Sequence, residues 1–252
     1  MDTPKALDVL AFGAHPDDAE LAAGGTLRLC VLQGHAAGIV DLTRGELGSR
    51  GTPRVRAEEA RAAGEVLGLA VRENLGMADG AITDQGRTAI IRALRTWRPR
   101  IVLTHPPECR HPDHVQTAKL VVEACFYSGL RKLVTEDANG QTQQPWRPRH
   151  VLHFAEVMPF EPTLVVDVTS TWADRTRALQ CYASQVHHPD YVPKTDEPET
   201  FISNPDFFAW IEARARMWGY RIGARYGEPF AYRGVMGTSD LMSALSLDAR
   251  FR

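Results

Sequence analysis

Residues 7–13, Leu7-Asp8-Val9-Leu10-Ala11-Phe12-Gly13, run directly into Ala14-His15-Pro16-Asp17-Asp18, and this junction decides the fold. A short apolar run closed by glycine has the character of a buried strand. Residues 19–33 carry Leu21, Leu27, Leu29, Val31 and Leu32 and predict a helix in spite of Gly24 and Gly25. The same alternation continues outward. Strands are expected at 36–42, 70–75 and 101–104, with helices at 53–67, 85–97 and 113–130. Late strands follow at 151–154 and 164–168, and a helix with Trp210, Ile211, Met217, Trp218 and Ile222 on its apolar stripe covers residues 207–226. Strand–helix alternation predicts an α/β fold of Rossmann-like type: a mostly parallel sheet, helices on both faces, one domain over residues 1–252. Two polar, Pro-bearing stretches, 135–149 and 185–199, are expected as surface loops, the second as a mobile flap.

The strand-to-helix junction at 14–18 has a counterpart. Arg110-His111-Pro112-Asp113-His114 follows the strand at 101–104. In open α/β sheets, ligands bind beyond the carboxyl ends of the strands where the strand order reverses, and the first and fourth strands usually flank that crevice. Topology therefore brings the two motifs together. Taken singly, Asp17, Asp18 or Asp113 would suit a helix cap, and Pro16 or Pro112 a first helical turn. The joint occurrence of both motifs at adjoining strand ends favours a site. His and Asp are the nitrogen and oxygen donors of hydrolytic zinc, which keeps one position for water. Three of these groups can ligate, leaving carboxylate and imidazole for proton transfer.

Composition excludes other classes. The 252 residues are 44% hydrophobic and 24% charged, with a formal net charge of −2, which offers no general basic field for nucleic acid. No apolar run has the length of a membrane span, and the first ten residues lack the pattern of a signal peptide. Four scattered cysteines without a CxxC pair fit a reducing cytoplasm. No GxGxxG follows the first strand, which weakens a dinucleotide-binding module as a reading.

AHPDD at 14–18 with HPDH at 111–114 resembles the two-part signature of the LmbE-like, or PIG-L, zinc de-N-acetylases. LTRGELGSRGTP at 42–53, RAEE at 56–59, RENLG at 72–76, EACFY at 123–127 and GEPF at 227–230 look like the bacillithiol-pathway deacetylases within it. The resemblance implies zinc held by His15, Asp18 and His114, with Asp17 as general base. It implies that protonated His111 stabilises the oxyanion or protonates the leaving amine, and that Asp113 orients His111. Its implied substrate is N-acetylglucosaminyl malate, a dianion. Arg44, Arg50, Arg56 and Arg110 are candidate partners for its carboxylates, Arg56 and Arg110 above all. Tyr191, with His187 and His188, is a candidate for the flap. Homo-oligomers, hexamers among them, are implied by the resemblance alone. The rivals are a thiol-conjugate amidase or antibiotic-sugar deacetylase of the same family, and a sugar- or nucleotide-binding module without turnover.

Overall fold

The computed structural model describes residues 6–156, 160–193, 197–240 and 242. The expected first strand is β1, Val9–Gly13, and every residue of it is buried. Helix α1, Asp18–Leu32, leads to β2, Ala37–Thr43, again buried throughout, and then to α2, Pro53–Leu67. Continuous burial is the mark of parallel strands covered on both faces. The α2 ends carry clear signals. Pro53 opens the helix, the Thr52 side chain accepts from the Val55 N–H at 3.3 Å, and Gly68 closes it with φ 73°.

Strand β3, Val71–Met77, is followed by a 3₁₀ turn, Asp84–Gly86, and by α3, Arg87–Trp97. Strand β4, Ile101–Thr104, leads to α4, Pro112–Tyr127. Strands β5, His150–Phe154, and β6, Leu164–Asp167, precede α5, Trp172–Gln180, α6, Phe207–Arg221, and β7, Gly227–Tyr232. The seven strands form one sheet in the order β3-β2-β1-β4-β5-β7-β6. Strands β1 to β5 are parallel, and β7 runs antiparallel to both β5 and β6. The order reverses at β1, which lies between β2 and β4, as expected.

Alternation along β1 divides the core. Leu10 and Phe12 pack with Ile90, Leu94, Leu120 and Val121 of α3 and α4. Val9 and Ala11 face Ala19, Ala23, Leu27, Ala63 and Leu67 of α1 and α2. Burying such side chains contributes roughly 1.5–3 kcal/mol each.

Two expectations change. The last helix stops at Arg221 rather than 226, and residues 227–232 form a strand that Pro229 hid from sequence reasoning. Strand β5 pairs only with Phe230, Ala231 and Tyr232, so Pro229 lies outside that ladder. The glycine pair in α1 has a tertiary reason. A Cβ on Gly25 would sit 2.8 Å from Val168 Cβ and 2.9 Å from Glu228 Oε1. Only glycine lets Glu228 accept from the N–H groups of Gly25 and Thr26, at 2.9 and 2.7 Å.

Candidate active site at the carboxyl ends of the strands

Both sequence motifs lie beyond the carboxyl end of the sheet and line one cavity of about 450 Å3. Asp17 directly follows the first strand's exit loop. Its φ of 112° and ψ of −28° place a non-glycine residue in a region L side chains rarely adopt. Strain of this kind persists only where surrounding contacts enforce it, and it concentrates at functional sites. Arg56 of α2 supplies the contacts. Its Nη2 donates to the Pro16 carbonyl at 2.7 Å and lies 3.4 Å from Asp17 Oδ2, and its Nη1 donates to the Gly45 carbonyl at 3.0 Å. Burial pushes the Asp17 carboxyl up to about 7, against the pull of Arg56.

Asp18 is buried beside it and accepts from the His15 backbone N–H at 2.8 Å through Oδ2. Three imidazoles flank its carboxylate: His15 Nδ1 is 3.5 Å and His105 Nε2 3.3 Å from Oδ2, and His114 Nε2 is 3.4 Å from Oδ1. The other nitrogen of each ring meets a second carboxylate. His15 Nε2 is 3.0 Å from Asp79 and 3.4 Å from Asp113, and His114 Nδ1 is 2.8 Å from Glu156. Donors about 2.0–2.2 Å from a tetrahedral ion lie roughly 3.2–3.6 Å from one another. The spacing around Asp18 fits, and outer carboxylates on ligating imidazoles are the usual support of a metal site.

The charge balance also fits a cation. Asp17, Asp18, Asp79, Asp113 and Glu156 surround the spot. Burial would lower the pKa of His15, yet Asp113, Asp18 and Asp79 raise it to about 12. His114 is likewise raised, to about 11, against burial, chiefly by Asp18. Asp18, His105, His114 and Glu156 form one buried group whose donor atoms lie within 4.8 Å of one another, and His15, His111 and Asp113 form a second. The cluster can hold a metal ion. His105 is the least available donor, because its Nε2 accepts the Ala14 N–H at 2.8 Å while its Nδ1 faces Glu156 at 2.5 Å.

Similarity to known proteins agrees with the geometry. The profile of the PIG-L family, described as GlcNAc-PI de-N-acetylase, matches residues 10–125. The crystal structure of the conserved protein TT1542 from Thermus thermophilus is 35% identical, with a TM-score of 0.80 over 92% of this chain and 98% of that one. The chain belongs to the PIG-L family. LmbE-like deacetylases of this family are metal-dependent, and this protein is an enzyme of that hydrolytic class. Diacetylchitobiose deacetylase of Thermococcus kodakarensis is 26% identical over 87% of this chain and 80% of its own length. A 4-oxalmesaconate hydratase of Pseudomonas putida is 29% identical over 77% of this chain and 80% of its own. The Bacillus cereus protein named "Probable N-acetyl-alpha-D-glucosaminyl L-malate deacetylase 2" is 25% identical over 84% of this chain and 97% of its own.

Not every expected residue of this PIG-L family member has its expected surroundings. Arg56 lines the cavity but is buried, and its guanidinium is bound to two backbone carbonyls, so it shapes the Asp17 loop. A Cβ at Gly45 would overlap its Nη1. Asp113 turns its carboxylate to His15 and to the Gly80 N–H, at 3.4 and 2.8 Å, rather than to His111. Only its backbone N–H meets His111, donating to Nδ1 at 3.3 Å. The His111 pKa is lowered, by burial and then by His114 and His15. Arg110 is exposed on the cavity rim with its guanidinium 5.8 Å from the Phe201 ring centre. Arg44, Arg50, Tyr191, His187 and His188 do not line the cavity. Tyr191 instead donates to Glu197 at 2.7 Å and carries Arg50 over its ring, and residues 194–196 of the expected flap lie outside the described residues.

Sequence reasoning missed Asp79, His105, Cys109 and Glu156. Each follows a parallel strand: Asp79 after β3, His105 and Cys109 after β4, Glu156 after β5. The strand-end rule applied to all five parallel strands, rather than to two, would have found them.

Proposed function

We propose that the protein removes the acetyl group from an N-acetylglucosaminide whose aglycone carries carboxylate, with N-acetylglucosaminyl L-malate as the substrate and zinc held by His15, Asp18 and His114. The observation carrying this reading is the strained, half-buried Asp17 beside the imidazoles of His15 and His114 that flank Asp18 at the cavity floor. Bound zinc supplies Lewis acidity and lowers the pKa of water. Asp17 Oδ takes the proton of the attacking water and returns it to the departing amine nitrogen, so water and amide become acetate and free amine. Asp18 and the outer carboxylates hold the two imidazoles in register. Because His111 Nδ1 accepts from Asp113, its proton sits on Nε2, and it donates a hydrogen bond to the amide oxygen as charge develops there. Asp113 contributes by orienting His15.

Likeness to the malate deacetylase over 97% of that protein supports the aglycone, as does Arg110 on the rim. Among the described residues no helix is long and apolar enough to cross a membrane. The free cysteines support a cytoplasmic setting, and exposed Val122 and Phe126 on α4 support homo-oligomers. The test is acetate and amine release from N-acetylglucosaminyl malate by the zinc-loaded protein, with loss on chelation. No release would reject the reading. The likeness to 4-oxalmesaconate hydratase favours a second one, hydration of an unsaturated dicarboxylate by the same water-activating groups. Turnover of that substrate class without acetate release would establish it.

A further inference from the structure

Helix α6 lays Phe207, Trp210, Ile211 and Arg214 along the cavity, at the i, i+3, i+4, i+7 spacing of one helical face. Three are apolar walls. Arg214 is different: it brings a cation into an apolar lobe. Burial disfavours its charge, and the carboxylates that act on it through space are Glu156 and Glu228. Both are already engaged. Glu156 binds His105 and His114, and Glu228 accepts from Gly25 and Thr26. Among the described residues neither forms an ion pair with Arg214.

The hydrogen bond Arg214 does make is long, Nη2 to the Leu21 carbonyl at 3.4 Å. That carbonyl already has a closer donor in Arg175 Nη2. The remaining guanidinium nitrogens of Arg214 are not among the side-chain atoms sealed in protein without a partner, whereas two of Arg175 are. Arg214 itself lines the cavity. Two other arginines are used differently. Arg95 binds three carbonyls and a hydroxyl, and Arg72 pairs with Asp41 and Glu20. Desolvating a guanidinium without pairing it is costly. An anionic ligand group would supply the pairing.

We infer that Arg214, which lines the same cavity as Arg110, is the second cation of an anion-recognition site, in the place expected for Arg56, and that it binds a carboxylate of the substrate's aglycone. The inference rests on the amino-sugar reading for its ligand. The cavity of about 450 Å3 has room for an amino sugar with a small aglycone. Planar carboxylate suits the guanidinium fork, and the ammonium of lysine would keep the charge while losing that geometry.

Equilibrium binding to the zinc-loaded Asp17→Asn protein, in which turnover is suppressed, is measured by calorimetry, with acetate release followed separately on the protein with Asp17 intact. N-acetylglucosaminyl malate and neutral methyl N-acetylglucosaminide are each titrated into Asp17→Asn alone and combined with Arg214→Gln or Arg214→Lys. Losing one charge-assisted pair should weaken the malate conjugate roughly ten- to hundredfold in Arg214→Gln. The neutral ligand should be unaffected, and Arg214→Lys should restore part of the preference. Equal weakening of both ligands, or no weakening, overturns the inference. A preference that depends on Arg214 without acetate release from either compound would overturn the deacetylase reading and leave the anion site standing.

Discussion

The floor of the cavity draws His15, Asp17, Asp18 and His114 from segments that follow two adjoining parallel strands, within residues 14–18 and 111–114. Its wall draws Phe201, Phe207, Trp210, Ile211 and Arg214 from the last fifth of the chain, where the sheet turns antiparallel. The floor is polar, charged and strained, and His15, Asp18 and His114 are each held by two or more partners. The wall is apolar and has one weakly bound cation. The contrast separates reaction from recognition: chemistry is built where the parallel strands end, and substrate choice is built by elements packed around it. Disturbing the floor should therefore abolish turnover of every substrate, while disturbing the wall should change which substrate is preferred.

The largest effect belongs to the floor. His114→Ala removes one imidazole beside Asp18 and leaves Glu156 with a single partner ring. Metal analysis should show strong loss of zinc, and activity should be lost with it on anionic and neutral substrates alike. Full occupancy in this variant would remove His114 from the ligand set.

Arg56→Gln should come next. The guanidinium ties Pro16 and Gly45 to the Asp17 loop, so its loss frees the strained backbone there. We expect kcat to fall by roughly ten- to a hundredfold, equally for malate-bearing and neutral substrates, through loss of about 1.5–3 kcal/mol of charge-assisted hydrogen bonding. A defect confined to the malate conjugate would return Arg56 to the wall as a substrate contact.

Gly25→Ala tests the scaffold between the two regions. Its methyl group must displace Val168 or Glu228, at a cost of about 1–3 kcal/mol of overpacking. Denaturant unfolding should show that loss with zinc binding retained. Trp210→Ala should have the smallest effect, a few-fold rise in KM with kcat held, because Trp210 lies 44% exposed at the wall, where it stacks on Phe201.

The difference between the regions also explains what could be read from sequence. Short motifs at strand ends carry their own geometry, so the apolar runs at 7–13 and 101–104 located the floor from sequence. Asp79, His105 and Glu156 lie outside those motifs, although the same topology places them. The wall has no local signature. Arg214 differs from a solvated arginine only because Arg175, Glu156 and Glu228 are already engaged, and that is a tertiary fact. The part Arg56 plays in holding the Asp17 loop was hidden for the same reason, since the carbonyls it binds, those of Pro16 and Gly45, lie 40 and 11 residues away. Strand β7 was hidden by Pro229, which is tolerated only because β5 ends beside it.

The central claim is that Asp17 moves the proton while its neighbours hold the metal. Its test is the zinc content and the rate of acetate release of Asp17→Asn, measured side by side with wild type on N-acetylglucosaminyl malate. Wild-type turnover should fall as pH drops through the Asp17 pKa, which burial raises toward 7, because the base acts only when ionised; the charge of bound zinc moves that limb lower. The account predicts one zinc per chain in both proteins and roughly a hundred- to ten-thousandfold slower release in the variant. Zinc-loaded Asp17→Asn that releases acetate at near the wild-type rate would contradict it.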